Sequence, residues 1–292
     1  MAGDVEQLRA YVEYFRDMGV YEFYRRGEPV SAELAETAGL AGDVVVEAAA
    51  EPRPAVVETA AVAVSAAPVV SAKTSFLEPP IPKLVSFDDL APLPESRVAA
   101  GEKATALRLI QEEIGDCTRC PLAYAGRRSI VFADGDPNAR LMFVGEGPGA
   151  DEDVQGLPFV GKAGQLLNNM IGAMGLKRED VYIANIVKCR PPQNRVPEPL
   201  EANTCSQFLL KQVDVVQPQV IVALGATAAM YLLGVKQSLS SLRGRWHGCR
   251  GAKLVVTYHP AFLLRDPRQK GEAWKDLQMV MKDMGLKAPA KG

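Results

Sequence analysis

The amino-acid sequence predicts an α/β fold of three layers, in which a central, mainly parallel four-stranded sheet lies between helices. Short apolar segments alternate with amphipathic ones after residue 100, an order that is typical of parallel sheets. The predicted strands are residues 140–144, 180–187, 220–224 and 253–257. The predicted helices are residues 102–116, 163–174, 201–216, 226–233 and 272–284. Such folds bind ligands at the carboxyl edge of the sheet, so we expect the functional site there.

Composition divides the 292 residues into three parts. Residues 1–30 carry apolar side chains at helical spacing and predict a short N-terminal helical segment. Residues 31–100 are rich in Ala, Val, Glu and Pro, with almost no aromatic residues, and predict a disordered linker. Such a segment buries too little apolar surface to offset the entropy of ordering the chain. Residues 101–292 form the predicted folded domain.

The formal net charge of -2 hides an asymmetry. Residues 1–100 carry about -8 and residues 101–292 about +6, with the positive excess concentrated at residues 241–270. A basic C-terminal part suits a polyanionic partner, the alternative being a solvated charged face. The sequence holds no apolar run long enough for a bilayer and starts with an acidic helical segment, so we expect a cytoplasmic protein with no membrane partner.

Residues 141–167, LMFVGEGPGADEDVQGLPFVGKAGQLL, run from an apolar strand through a glycine-proline turn into an amphipathic helix. Backbone N–H groups are free in such a turn and lie beside the positive end of a helix, where they attract electron-rich ligands. We therefore expect the active site in this stretch.

Four of the five cysteines are spaced like the ligands of a metal ion or an iron–sulfur cluster. An odd number argues against a disulfide framework. Two cysteines at C-x2-C spacing are followed after 68 residues by a third and after 15 more by a fourth: Cys117, Cys120, Cys189 and Cys205. Four thiolates can hold an iron–sulfur cluster or a zinc ion, and simple burial of the last two is the third interpretation. Cys249 lies in a hydrophilic segment and is expected to take no part.

Five features together closely resemble family 4 uracil-DNA glycosylases. They are the four cysteines, GEGPG at 145–149, LPFVGKAG at 157–164, NIVKCRPPQNR at 185–195 and HPAFLLR at 259–265. The resemblance spans about residues 103–287, in the same order and spacing, and leaves the first 100 residues unexplained. It implies a DNA repair enzyme that flips deoxyuridine out of DNA, hydrolyses its N-glycosidic bond and releases uracil. It also implies a structural [4Fe-4S] cluster on Cys117, Cys120, Cys189 and Cys205.

The resemblance suggests roles for three side chains. The amide of Asn185 can accept from uracil N3–H and donate to O4, a pattern that cytosine reverses. Phe159 offers a flat face on which uracil can stack. A hydrogen bond from His259 to uracil O2 would strengthen as negative charge builds there in the transition state. The alternatives are a turn-capping role for Asn185 and core packing for Phe159.

The glycine-proline turn supplies the remaining predicted substrate contacts. By resemblance, the backbone at Glu146 and Gly147 contacts uracil, and Glu152 lies near C5, where it excludes the thymine methyl group. Gly147 occupies the position at which many family 1 enzymes carry an Asp that positions water. We therefore predict a dissociative route in which leaving-group stabilisation dominates, with secondary electrostatic help from Glu146 or Glu152.

Several loops are expected to contact DNA. The predicted DNA-binding residues are Arg190, Arg195, Leu263, Leu264, Arg265 and Arg268. The two leucines would fill the gap left by the flipped base, and the arginines would face phosphates. The expected partner is uracil-containing DNA, single- or double-stranded, bound by a monomer. The N-terminal segment would either bind a replication or repair protein or fold back on the domain.

Two alternative functions remain open from the sequence. A nucleotide-binding iron–sulfur oxidoreductase would need G-x-G-x-x-G and an acidic residue at the end of the next strand, whereas this chain has G-x-G-P-G and Asn185. A non-catalytic DNA-binding module with a structural cluster would bind DNA without releasing a base.

Overall fold

The computed structural model describes residues 84–288. The predicted N-terminal helical segment and most of the predicted linker lie outside this range. Between residues 84 and 288 no helix combines the length and the apolar character needed to cross a bilayer.

A six-stranded sheet forms the centre of the described part. Its strands are β1 (Asp134–Gly135), β2 (Leu141–Gly145), β3 (Tyr182–Asn185), β4 (Val220–Leu224), β5 (Trp246–Cys249) and β6 (Ala252–Thr257). The spatial order is β1-β3-β2-β4-β6-β5. The four central strands are parallel and match the predicted ones, while β1 and β5 pair antiparallel at the two edges. The predicted strand count of four is therefore wrong, because neither edge strand has the continuous apolar run of a central strand.

Nine α-helices accompany the sheet between residues 84 and 288. They are α1 (Phe87–Leu90), α2 (Lys103–Ile114), α3 (Ala150–Gln155), α4 (Lys162–Ala173), α5 (Pro199–Val216), α6 (Ala226–Leu233), α7 (Leu239–Leu242), α8 (Pro260–Arg265) and α9 (Lys270–Met284). All five predicted helices are confirmed with small shifts at their ends. The four added helices are four to six residues long, too short for a periodic pattern to reveal.

Both faces of the sheet are covered, which confirms the predicted three-layer α/β/α class. Successive side chains of a strand point to opposite faces. Met142 and Val144 of β2 accordingly join the core beneath α2, α5 and α6, whereas Leu141 and Phe143 join the core beneath α4 and α9. Every residue of β2 and β4 is buried, as expected for strands that are covered on both faces.

The folded part begins before the predicted boundary at residue 101. Phe87 of α1 is fully buried. The guanidinium of Arg250 donates to the main-chain oxygens of Phe87 at 3.3 Å and Pro92 at 2.9 Å, while its backbone N–H donates to Asp88 at 2.6 Å. Arg250 in turn forms a two-bond ion pair with Asp214. A segment of low overall apolarity is thus attached by one aromatic side chain and one buried arginine.

The strand order places a topological switch point beside β2. The chain passes from β2 to β3 on one side, whereas β4 lies on the other side of β2. Helices that leave two such strands cover opposite faces of the sheet and leave a crevice at the carboxyl edge. The turn that follows β2 opens into this crevice.

Candidate active site

A cavity of ≈ 530 Å³ lies at the carboxyl edge of the parallel strands. Eight of the residues predicted from the sequence line it: Glu146, Gly147, Glu152, Phe159, Asn185, Arg195, His259 and Arg265. Arg190, Leu263, Leu264 and Arg268 are not part of its lining. The fold thus brings together segments that are far apart in sequence, because each lies at or after the carboxyl end of one of the parallel strands β2, β3 and β6.

Asn185 is the last residue of β3 and lies opposite Gly145 of β2 in the strand register. Its side chain is 2% exposed, and its Oδ1 atom is buried without a hydrogen-bond partner among the described residues. Buried polar atoms are rarely left unpaired, since this costs free energy comparable to a lost hydrogen bond. The turn-capping interpretation of Asn185 is not supported, and a donor from a ligand would satisfy the amide.

Gly145 makes the position of Asn185 sterically feasible. A Cβ atom on residue 145 would lie 2.4 Å from Asn185 Oδ1 and 2.5 Å from Phe159 Cζ. Both side chains therefore pack directly over the backbone of this glycine. Any side chain here would displace the amide, the aromatic ring or both.

Phe159 forms one wall of the cavity and belongs to the core at the same time. Its side chain is 5% exposed and packs among the core residues beneath α4 and α9, so the core-packing interpretation holds and stacking on uracil stays a prediction. Its backbone φ is 52°, in the left-handed region that a bulky residue adopts only under constraint. Its ring centroid lies 5.6 Å from that of His259, with an angle of 33° between the planes. The two rings thus face one space.

His259 precedes α8 and caps its N-terminus. Its Nδ1 accepts a hydrogen bond from the backbone N–H of Ala261 at 3.1 Å, which leaves the proton of a neutral ring on Nε2. Burial lowers the pKa of His259 to about 4, with the nearby Arg265 acting in the same direction and Glu152 in the opposite one. The imidazole is therefore neutral at pH 7 and holds an Nε2–H donor.

Glu152 joins the two loops that flank the cavity. Its carboxylate accepts backbone N–H bonds from Gly149 at 3.0 Å and from Val160 and Gly161 at 2.9 Å each. The first donor belongs to the glycine-proline turn and the other two follow Phe159. This geometry gives Glu152 a positioning role, while its predicted proximity to a uracil C5 atom stays a prediction.

Glu146 and Gly147 follow β2 directly. Burial raises the pKa of Glu146 above its ordinary value, and a hydrogen bond with the side chain of Thr227 acts in the opposite direction. A Cβ atom at residue 147 would lie 2.7 Å from Val187 Cγ2. The backbone at Gly147 therefore packs against Val187, which lies two residues after β3. An acidic side chain at position 147 would fit only if Val187 moved.

The predicted DNA-contacting leucines differ sharply in exposure. Leu263 is 1% exposed and faces the protein interior, whereas Leu264 is 43% exposed. In a helix, adjacent residues point in directions about 100° apart, so one of the pair can be buried while the other faces outward. The assignment of Leu263 to the DNA interface is therefore corrected, and Leu264 alone is available.

Several predicted DNA-binding arginines already have protein partners. Arg195 forms two hydrogen bonds with Glu201, at 2.8 and 2.7 Å. Arg268 pairs with Asp266, and Arg190 donates to Asn194. Arg265 is exposed at the end of α8 and lines the cavity. Contact of these arginines with phosphates stays a prediction.

The four cysteines of the predicted cluster line a second, separate pocket. Cys117 and Cys120 follow α2, Cys189 follows β3, and Cys205 lies in α5. Three N–H groups are directed at their sulfur atoms: one from Arg119 at 3.3 Å to Cys117, one from Arg127 at 3.5 Å to Cys189, and the backbone N–H of Lys188 at 3.2 Å to Cys205. Donors of this kind stabilise thiolate ligands. Cys249 is not part of this pocket; it is buried in β5.

The donor set of this pocket consists of four thiols, which suit either an iron–sulfur cluster or a zinc ion. In residues 84–288 no group of three or more His, Cys, Asp or Glu side chains is arranged to hold one metal ion. Burial raises the pKa of Cys189 to about 11 and that of Cys205 to about 12. Both thiols are therefore protonated at pH 7, and binding of a cluster or of a zinc ion would release their protons.

Two residues that the sequence interpretation missed contact the site from behind. Lys188 is 1% exposed, and its position between Asn185 and Cys189 in an apolar segment was a detectable signal. Arg178 contacts the backbone of the Phe159 loop from the turn before β3, and no local pattern marks it.

A three-layer α/β/α domain with a cavity at its topological switch point is shared by a large class of ligand-binding proteins and enzymes. Similarity to known families shows which member of this class the chain is. The model described as the uracil DNA glycosylase superfamily matches residues 132–278. The chain belongs to this superfamily.

The curated relatives refine the assignment. A type-4 uracil-DNA glycosylase of Thermotoga maritima is 47% identical over 164 residues, which cover 55% of this chain and 84% of the relative. Type-4 uracil-DNA glycosylases of Pyrobaculum aerophilum and Archaeoglobus fulgidus are 42% and 39% identical, covering 59% and 62% of this chain and 92% and 94% of the relatives. The resemblance to family 4 is thereby confirmed.

Proposed function

We propose that this protein is a DNA repair glycosylase that removes uracil from DNA and leaves an abasic site. The observation that carries the proposal is the buried Oδ1 of Asn185, which has no hydrogen-bond partner in residues 84–288 and lies at the wall of a cavity that Phe159 and His259 also line. The names of the similar proteins support the same activity. The basic segment at residues 241–270 supports a polyanionic partner.

Selection of uracil rests on the amide of Asn185. Uracil presents a donor at N3 and an acceptor at O4, so Oδ1 can accept from N3–H while Nδ2 donates to O4. Cytosine presents the reverse pattern and would leave two buried polar groups unpaired. A site built to hydrogen-bond one base rejects such an analogue strongly, by a factor of about 10⁴.

Cleavage rests on stabilisation of the leaving base. As the bond from C1′ to N1 breaks, negative charge develops on uracil O2, and the Nε2–H of neutral His259 can donate to that oxygen. The helix that His259 caps presents its positive end toward the same region. Because Gly147 offers no side chain to activate water, leaving-group stabilisation dominates the proposed route. Glu146 would add secondary electrostatic stabilisation of the sugar cation.

The residues of the second pocket fit an iron–sulfur cluster. When bound, a [4Fe-4S] cluster would supply a structural cross-link rather than redox chemistry. Cys117 and Cys120 would hold it after α2, Cys189 after β3, and Cys205 in α5. Three chain segments that flank the DNA-facing loops would thereby be joined.

The proposed partner is uracil-containing DNA bound by a monomer. Leu264 and Arg265 would contact DNA beside the cavity, and the loop that holds Arg190 and Arg195 would contact it on the other side of the lesion. Residues 1–83 lie outside the described range, and a replication or repair protein as their partner stays a prediction.

A labelled oligonucleotide with a single uracil tests the proposal. Incubation followed by alkali should cleave the strand at the uracil, while a matched oligonucleotide with thymine at that position stays intact. DNA binding without alkali-sensitive sites would contradict the proposal and favour the non-catalytic DNA-binding module.

A further inference from the structure

Arg178 lies behind the wall of the cavity, in the 3₁₀ turn Arg178–Asp180 that precedes β3. Its guanidinium donates to two consecutive main-chain oxygens, that of Pro158 at 2.6 Å and that of Phe159 at 3.0 Å. Arg178 does not line the cavity itself. It therefore contacts the backbone that carries the proposed stacking ring and not the space that a base would occupy.

The guanidinium is itself fixed by two side chains. Its Nε donates to Asp134 of β1 at 2.7 Å, and its Nη1 donates to Asn168 of α4 at 3.0 Å. The side chains of Arg178 and Asp134 are 24% and 32% exposed, so water competes only partly for this ion pair. Four contacts use the planar fork of the arginine, a geometry that lysine cannot reproduce.

The Phe159 backbone needs such support. Its φ of 52° is unfavourable for a residue with a bulky side chain and persists only where surrounding contacts determine it. The helix α4 also approaches this backbone so closely that a Cβ atom at Gly164 would lie 1.9 Å from the Phe159 oxygen. The same carbonyl group is thus confined by Gly164 and bonded by Arg178.

We propose that Arg178 is a positioning residue for base recognition, which holds the ring of Phe159 in the orientation that stacks on the extruded base. The inference rests on the proposed function, because the stacked base is uracil. Arg178 acts through Phe159, and Asp134 acts through Arg178. Loss of either contact should let the Phe159 loop relax toward an ordinary backbone conformation and turn the ring away from the cavity.

The test compares Arg178→Lys and Asp134→Asn with wild-type protein, below the melting temperature of every variant. The inhibition constant of free uracil and the KM for uracil-containing DNA should rise about tenfold in Arg178→Lys, with a smaller change in kcat. Asp134→Asn should show a weaker effect in the same direction. Arg140→Lys is the matched control, because Arg140 bonds the side chain of Gln219 outside the cavity lining and should leave both constants unchanged.

A double variant separates positioning from general destabilisation. If Arg178 acts through Phe159, Arg178→Lys should add less than about twofold in a Phe159→Leu background, since the ring that it orients is already absent. The inference would be overturned if the increases in KM and in the inhibition constant of uracil caused by the two single substitutions multiplied in the double variant. It would also be overturned if Arg178→Lys had the same two constants as wild-type protein. Either result would leave uracil release by the wild-type protein intact. A wild-type protein that neither binds nor releases uracil would instead overturn the proposed function, and this inference with it.

Discussion

The buried ammonium of Lys188 donates to the main-chain oxygen of Asn185 at 3.0 Å. The backbone N–H of the same lysine lies 3.2 Å from Cys205 Sγ. A second bond joins Lys188 Nζ to Gln212 of α5 at 2.6 Å. One residue therefore contacts both a cysteine of the proposed cluster and the residue proposed to recognise uracil. A cluster held by the four cysteines would therefore be linked through Lys188 to the backbone of Asn185.

Replacement of Lys188 by Met should weaken both the fold and uracil release. The oxygens of Asn185 and Gln212 would be left buried without a donor, which costs about 1–3 kcal/mol for each group. Thermal unfolding and steady-state kinetics measure the two effects.

Lys211→Met is the matched control for this change. Lys211 lies on α5 but is 41% exposed and pairs with Glu113 at the surface, where an ion pair contributes about 1 kcal/mol or less. Equal stability and equal uracil release in Lys188→Met and in wild-type protein would contradict the proposed contact.

Gly145→Ala should reduce kcat/KM by about 100-fold, the order expected when reacting groups are displaced by about 1 Å. The added methyl group would meet Asn185 Oδ1 and Phe159 Cζ at 2.4 and 2.5 Å. Gly172→Ala on α4 serves as the control, because a Cβ atom there meets nothing within 4 Å. Wild-type kcat/KM in Gly145→Ala would mean that neither side chain needs its observed position.

His259 should titrate near pH 4 instead of near its ordinary value of 6.5. The chain contains two histidines, so NMR can follow each imidazole separately, with His247→Gln to assign the signals. A midpoint near 6.5 for His259 would contradict the half-buried, neutral ring.

The same shift has a consequence for stability. Between pH 6.5 and about 4 the unfolded chain binds a proton on His259 that the folded chain does not bind. The free energy of unfolding should therefore fall as the pH falls through this window, and His259→Gln should reduce that dependence. Parallel stability curves for the variant and wild-type protein would contradict the lowered pKa.

Purified protein should be brown, with broad absorbance in the visible range and bound iron. Cys205→Ser should lose iron and colour, because only three thiolates would remain. Cys249→Ser should keep both, since Cys249 lies in β5 away from the four-cysteine pocket. A colourless wild-type preparation that contains zinc would overturn the cluster assignment.

The central strands and the residues that follow them were predictable because the signals are local. Asn185 and His259 each stand just after an apolar run, and parallel strands bring such ends together. The sequence predicted that Gly145 belongs to a turn, but it did not predict that Asn185 and Phe159 pack over this glycine.

The remaining features depend on distant contacts. Arg178 is 44 positions from Asp134 and 20 from Pro158, so no sequence window contains its partners. Phe87 joins the core through contacts with residues more than 100 positions away, including Arg250. Leu263 and Leu264 are chemically alike, and only the rotation of α8 determines which of them faces solvent.

The most direct test of the central claim is uracil excision by Asn185→Asp, measured beside wild-type protein on oligonucleotides that contain uracil or cytosine. An aspartate keeps the size of the side chain but replaces its N–H donor with a second oxygen, so the bond to uracil O4 is lost. The account predicts a loss of uracil excision of about 100-fold or more, or a gain of cytosine excision, in a variant that remains folded. Unchanged excision of uracil by Asn185→Asp would contradict it.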